Sequence, residues 1–291
     1  LVWSAPDVTG TVVATERAVL VRNPDGTLWR LDSVNGNERW RVAEMPGELP
    51  PVLLGESALV AGRGIAAVEL LSGRRLWSSG SDSPAITPPV SDGVVAVVAE
   101  ASGALRCLST GSGETLWRRE FARPLAAAPA LDHERVYVGT LERGFVALSR
   151  KDGRQRWRWK VGADVRETPL LVDETVVFSS HENVVYALGR GNGHLVWRGA
   201  FRTRPFAAPV QLGAAIVVAS QDGSLYSFAN LDGRSVGQQK ASAEIATPPV
   251  AVGGRLFVGL RDRSVEAIDM ADPTADSTRR GSPRPPRGAK P

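Results

Sequence analysis

One cysteine, Cys107, and three histidines are all the thiol and imidazole that the 291 residues contain. A lone cysteine excludes an internal disulfide and a thiolate zinc cluster. No apolar run approaches the roughly 18 residues that a membrane-spanning helix needs. No segment sustains a helical apolar period either, which argues against an α-rich body. Charge of one sign is also scarce. The formal net charge is +4, and residues 271–291 supply most of it, with Arg279, Arg280, Arg284, Arg287 and Lys290 set against Asp272 and Asp276. The near-neutral remainder lacks the basic footprint of a nucleic-acid binder. Leu1 stands where an initiator methionine is expected, so an upstream signal peptide, lipid anchor or transmembrane helix is anticipated.

What the chain does have is a repeat. Trp77, Trp117, Trp157 and Trp197 are 40 residues apart, and Trp3 and Trp40 precede them at spacings of 37. A glycine lies four residues before each tryptophan position from Trp40 onward: Gly36, Gly73, Gly113, Gly153, Gly193 and Gly233. In the last copy the tryptophan is replaced by Gly237. Pro89, Pro129, Pro169, Pro209 and Pro249 keep the same 40-residue phase. Short β-branched runs follow them, then a Gly- or Asn-containing turn and a second alternating run, which is the pattern of antiparallel hairpins.

Each repeat thus predicts three strands and a fourth that carries the tryptophan. Four-stranded sheets recurring at about 40 residues are the signature of propeller blades. Hairpin sets begin near residues 11, 51, 89, 129, 169, 209 and 249, so the expected fold is an all-β, seven-bladed propeller over residues 1–270. The seventh set lacks a following G-x-x-x-W. Residues 1–5, with Trp3, are expected to supply the outer strand of the last blade and close the ring. Residues 271–291 form a Pro/Arg-rich, low-complexity tail, expected to be solvated and disordered.

The fuller pattern is A-x-D-x-x-x-G-x-x-x-W. Ala147-Leu148-Ser149 through Gly153 to Trp157 follows it except at the Asp. Ala67-Val68-Glu69 through Gly73 to Trp77, and Ala187 through Gly193 to Trp197, follow it comparably, and Asp32 and Asp269 keep the acidic position. This resembles the tryptophan-docking motif of the PQQ-like (quinoprotein-type) β-propeller repeat. The resemblance implies indoles packed between neighbouring blades. One branch of that superfamily holds alcohol and glucose dehydrogenases that use pyrroloquinoline quinone and calcium. Those enzymes are longer, and the alcohol dehydrogenases carry a vicinal disulfide that one cysteine cannot form. The other branch holds non-enzymatic propellers such as BamB of the outer-membrane β-barrel assembly machine.

The candidate residues divide accordingly. Trp3, Gly36, Trp40, Gly73, Trp77, Gly113, Trp117, Gly153, Trp157, Gly193, Trp197 and Gly233 are assigned to blade docking. Arg41, Arg118, Arg158 and Arg198 directly follow tryptophans. They are expected on the opposite face of the outer strand, as edge protection or as a partner surface. The stretch KDGRQRWRWK at 151–160 interleaves cations with aromatics like a single-strand nucleic-acid groove, but its glycine and tryptophan belong to the repeat. His133, His181 and His194 occupy different repeat phases and converge on no metal. Ser179-Ser180-His181 lacks a third orienting group for catalysis. Cys107 shares its phase with Ala147, Ala187 and Ser227 and reads as a small packing residue.

The expected function is therefore a non-enzymatic, monomeric scaffold of the cell envelope, without cofactor or metal, that binds protein partners. Its most specific version is a BamB-like assembly factor. The alternatives are the extracytoplasmic sensor or ligand-binding domain of a membrane-anchored protein and, disfavoured, a quinone-dependent oxidoreductase.

Overall fold

The computed structural model describes residues 3–4, 10–16, 18–47 and 49–270. These contain 27 strands and no helix. The strands form seven antiparallel meanders in chain order, six of four strands and one of three. The blades span 11–42, 52–80, 90–120, 130–160, 170–200, 210–240 and 250–268. The fourth strand lies at the edge of each four-stranded sheet: Glu38–Val42, Arg75–Gly80, Thr115–Glu120, Gln155–Lys160, Leu195–Ala200 and Ser235–Lys240. The pairing of residues 1–5 with the last blade falls largely outside the described residues, as does the 271–291 tail. Among the described residues blade 7 has three strands. The chain divides into two compact units, Leu1–Pro169 with blades 1–4 and Leu170–Pro291 with blades 5–7.

In blades 2–6 the second and third strands are buried on both faces over most of their length, which explains their apolar runs. Val95–Ala99 and Ser224–Ala229 are buried throughout. The fourth strands alternate between exposed and covered positions. Most hydrophobic clusters join neighbouring blades. In the first unit, one joins Leu20 and Leu28 of blade 1 to Ala58, Val60 and Val68 of blade 2. Another joins Val97, Leu105, Cys107 and Trp117 of blade 3 to Val136, Val138 and Leu148 of blade 4. In the second unit, Val177, Val185 and Trp197 of blade 5 meet Ile216, Val218 and Phe228 of blade 6. A single blade cannot bury its two apolar faces alone, so its neighbours are part of its fold.

The link from third to fourth strand explains the motif glycine. The amides of Gly36, Gly73, Gly113, Gly153 and Gly233 each bond the carbonyl four residues back, at 2.8–2.9 Å. These glycines sit at φ between +67° and +75°, a region costly for residues with a Cβ. Gly193 has the same conformation, φ +72°. Asp32 caps its copy of the turn by accepting from the amides of Val34 and Asn35 at 2.9 and 3.1 Å. The strand after each turn carries a one-residue bulge opposite the third strand, as between Cys107 and Leu108.

Candidate interaction surface

Trp40, Trp77, Trp117 and Trp197 reach forward to the next repeat. The indole N–H groups of Trp40, Trp77 and Trp117 donate to the carbonyls of Leu70, Thr110 and Arg150, at 2.8, 2.7 and 2.7 Å. Trp197 donates to Asn230 O at 2.6 Å in the second unit. Trp3 donates to Ser33 O at 3.1 Å in blade 1. The rings cover the turn glycines: a Cβ added to Gly36, Gly73, Gly113, Gly153 or Gly233 would lie 2.3–2.7 Å from the indole of Trp3, Trp40, Trp77, Trp117 or Trp197. Trp157 packs against Tyr137 and Phe145 of its own blade, with ring centroids 6.0 Å apart in both pairs. Trp3, Trp40, Trp77, Trp117 and Trp197 are thus packed onto the turn glycines Gly36, Gly73, Gly113, Gly153 and Gly233.

The four arginines that follow tryptophans are all exposed, but their surroundings differ. Arg41 lies 3.6 Å over the Trp29 ring and pairs with Glu38 at 2.8 Å. Arg118 pairs with Glu120 and, at 3.3 Å, with the buried carboxylate of Glu100. Arg158 folds over Gly144 and lines a cleft of about 140 Å³ with Arg119, Thr140 and Glu142, yet has no ion pair among the described residues. Arg198 stands opposite Tyr186 on the third strand. The arginines therefore do not act as one uniform ring of free cations.

A buried polar cluster in blade 3 escaped the sequence reading. Glu100 and Arg106, with side chains 1% and 6% exposed, pair at 3.0 Å. Ser81 Oγ donates to Glu100 at 2.7 Å, and an Arg106 guanidinium N–H donates to Gly80 O at 2.8 Å. The signal lay in the phase of the repeat. Glu100 stands where later copies have Thr140, Ser180 and Ser220, and Arg106 where they have Val146, Tyr186 and Tyr226. The pair is enclosed, with Glu100 also reached by Arg118 from the surface, which suits a structural lock.

Cys107 is fully buried, and burial pushes its thiol up to about 12, outweighing the nearby Arg150 cation. A thiol so placed is neutral and unreactive. Among the described residues, no three His, Cys, Asp or Glu side chains cluster to hold a metal ion. A cleft of about 550 Å³ lies in the second unit between Asp173, Ala214, Asn230, Leu231, Asp232 and Arg234.

A family model described as outer membrane protein assembly factor BamB matches residues 61–163, 101–208 and 181–282. The overlapping matches cover well over half of the sequence. The chain belongs to this family. No curated protein matches it in sequence. Among solved structures, BamB from Moraxella catarrhalis is similar, with a TM-score of 0.56 and 19% identity over 90% of this chain and 96% of that one. The computationally designed protein Ika8 is similar with a TM-score of 0.69 and 14% identity, over 89% of this chain and 95% of that one. Such likeness shows the fold, which for this BamB-family chain is the seven-bladed β-propeller of PQQ-like repeats. The family's docking tryptophans account for the 40-residue period. The cations of blade 4 are an addition that the repeat does not require.

Proposed function

We propose that this chain is a non-catalytic scaffold of the bacterial cell envelope that binds other proteins, acting as a BamB-like factor in outer-membrane β-barrel assembly. The match of the BamB family model across residues 61–282 carries this reading. The chemistry of the described surface is consistent with it: many of the carboxylates are engaged in turns, caps and ion pairs. The strand edges and turns that remain exposed suit protein contact. The test is site-specific photo-crosslinking of the full chain in its native envelope, together with its depletion. Crosslinks to the barrel-assembly complex and a fall in outer-membrane barrel proteins on depletion are expected. Unchanged barrel levels without such crosslinks would overturn the proposal.

A further inference from the structure

The segment KDGRQRWRWK ends in the edge strand of blade 4, Gln155–Lys160. Arg156, Arg158 and Lys160 are exposed. Arg156 is the bulged residue, whereas Arg158 and Lys160 flank the partly covered Trp159 and share one face. Arg156 donates only to the neutral hydroxyl of Ser149, at 3.2 Å. Arg158 and Lys160 have no ion pair among the described residues. Their cross-strand neighbours, Val146 and Gly144, carry no charge. Glu120 and Glu142 line the cleft beside Arg158, but Glu120 is engaged by Arg118 and Glu142 lies beyond ion-pair distance.

The backbone points the same way. The Val161 amide donates to Arg143 O at 3.1 Å, and the antiparallel register continues from Gly144 opposite Lys160 to Ala147 opposite Trp157. Bonded and non-bonded pairs alternate in such a ladder. The inward hydrogen bonds therefore belong to Trp159 and Trp157, and the amide and carbonyl groups of Arg158 and Lys160 face outward. At these two residues a free backbone row and an unpaired cation coincide. A strand added there would set its own residues directly opposite Arg158 and Lys160, with side chains about 5 Å away on the same face.

Other edges of the first unit differ. In blade 1, Arg39 and Arg41 are held by Asp32 and Glu38. In blade 3, Arg118 is held by Glu100 and Glu120. Cations on an edge repel neutral or basic strands, but the same charges select an acidic one, since specificity comes from both terms. We infer that the outer edge of blade 4 receives an extended acidic segment of a partner protein, with carboxylates at alternate positions facing Arg158 and Lys160. This rests on the scaffold reading and names the chemistry of one partner by strand addition.

The test is fluorescence anisotropy of the full chain with a short labelled peptide carrying glutamate at alternate positions. Binding to the wild type is expected. The exposed double variant Arg158→Glu, Lys160→Glu should weaken it by about tenfold or more. A peptide with lysine in place of glutamate should then bind the double variant, a rescue that an unfolded protein could not show. The same acidic peptide N-methylated on the amides that face the strand should lose binding, since its charge remains but its donors are gone. No binding to the wild type would overturn the inference, as would full binding by the N-methylated peptide. Equal binding of a single-stranded oligonucleotide would also overturn it, by marking a general polyanion site. The crosslinking experiment decides the scaffold reading separately.

Discussion

The indole of Trp77 covers Gly113 in the following blade, and its N–H donates to Thr110 O at 2.7 Å across 33 residues of chain. The glycine is needed twice, because its φ is +73° and because a Cβ would meet Trp77 Cε3 at 2.3 Å. Trp77→Ala is expected to cost about 3–5 kcal/mol. Gly113→Ala should cost more than the roughly 1–2 kcal/mol of a left-handed alanine, because the indole must also move. Gly93, at φ +90° with nothing within 4 Å, provides the control: Gly93→Ala should show the backbone cost alone. Urea unfolding of the single and double variants tests the coupling. Once the indole is gone, Gly113→Ala should cost no more than Gly93→Ala, and simple additivity would refute the contact as the cause.

The missing tryptophan of blade 6 follows from the same relationship. An indole at position 237 would need the third-to-fourth-strand turn of blade 7, and there Pro273 takes the phase of Gly233. Proline cannot adopt positive φ. Gln239 makes the connection instead, its amide donating to Asp269 O at 2.8 Å. Gly237→Trp should therefore bring no gain in thermal stability, whereas Gln239→Ala should lose about 1 kcal/mol. A stabilised Gly237→Trp variant would show that blade 7 does hold a docking turn.

The blades were legible because their signals are local and recur along the chain: proline before the first strand, apolar runs for the next two, then glycine and tryptophan. What the phase conceals is partnership. Gly113 and Trp117 are only four residues apart, yet Gly113 serves Trp77 and Trp117 serves Gly153. A pairing that skips a repeat leaves no short-range mark. The surface is less legible still. Arg41, Arg118 and Arg158 look equivalent in sequence, but only the fold shows which of them meets a carboxylate. Glu38 is near Arg41 in the chain, while Glu100 reaches Arg118 through the sheet.

The Glu100–Arg106 pair gives a sharper test, since removing one charge strands the other. Glu100→Gln leaves the Arg106 guanidinium, 6% exposed, facing a neutral amide. Breaking a buried pair from one side costs about 3–5 kcal/mol. Replacing both by what blade 4 has at those phases, Glu100→Thr with Arg106→Val, removes the charges together and should recover most of that loss. Chemical denaturation of the three proteins decides the matter. If the single variant matches the wild type, the pair is not a structural lock.

Acid should find a different weak point, in the second-to-third-strand turn of blade 6. Burial tends to raise the carboxyl of Asp222, but hydrogen bonds from Ser220 Oγ, the Ser224 amide, Thr203 Oγ1 and Ser224 Oγ outweigh it, lowering the value from 3.8 to about 2. These bonds measure 2.6, 3.1, 2.9 and 3.1 Å. The folded state thus binds this proton less readily than the unfolded chain. Its contribution is fully present above the ordinary value of 3.8 and is lost as pH falls toward 2. At an exposed carboxylate, solvent screening reduces that contribution to about 1 kcal/mol. Asp222→Asn keeps an acceptor but not the charge, so it should be less stable than the wild type at neutral pH. The gap should narrow between pH 4 and pH 2 and close near the lower end. Denaturation midpoints measured across that range test this, and a gap that stays constant would mean that the charge of Asp222 contributes nothing.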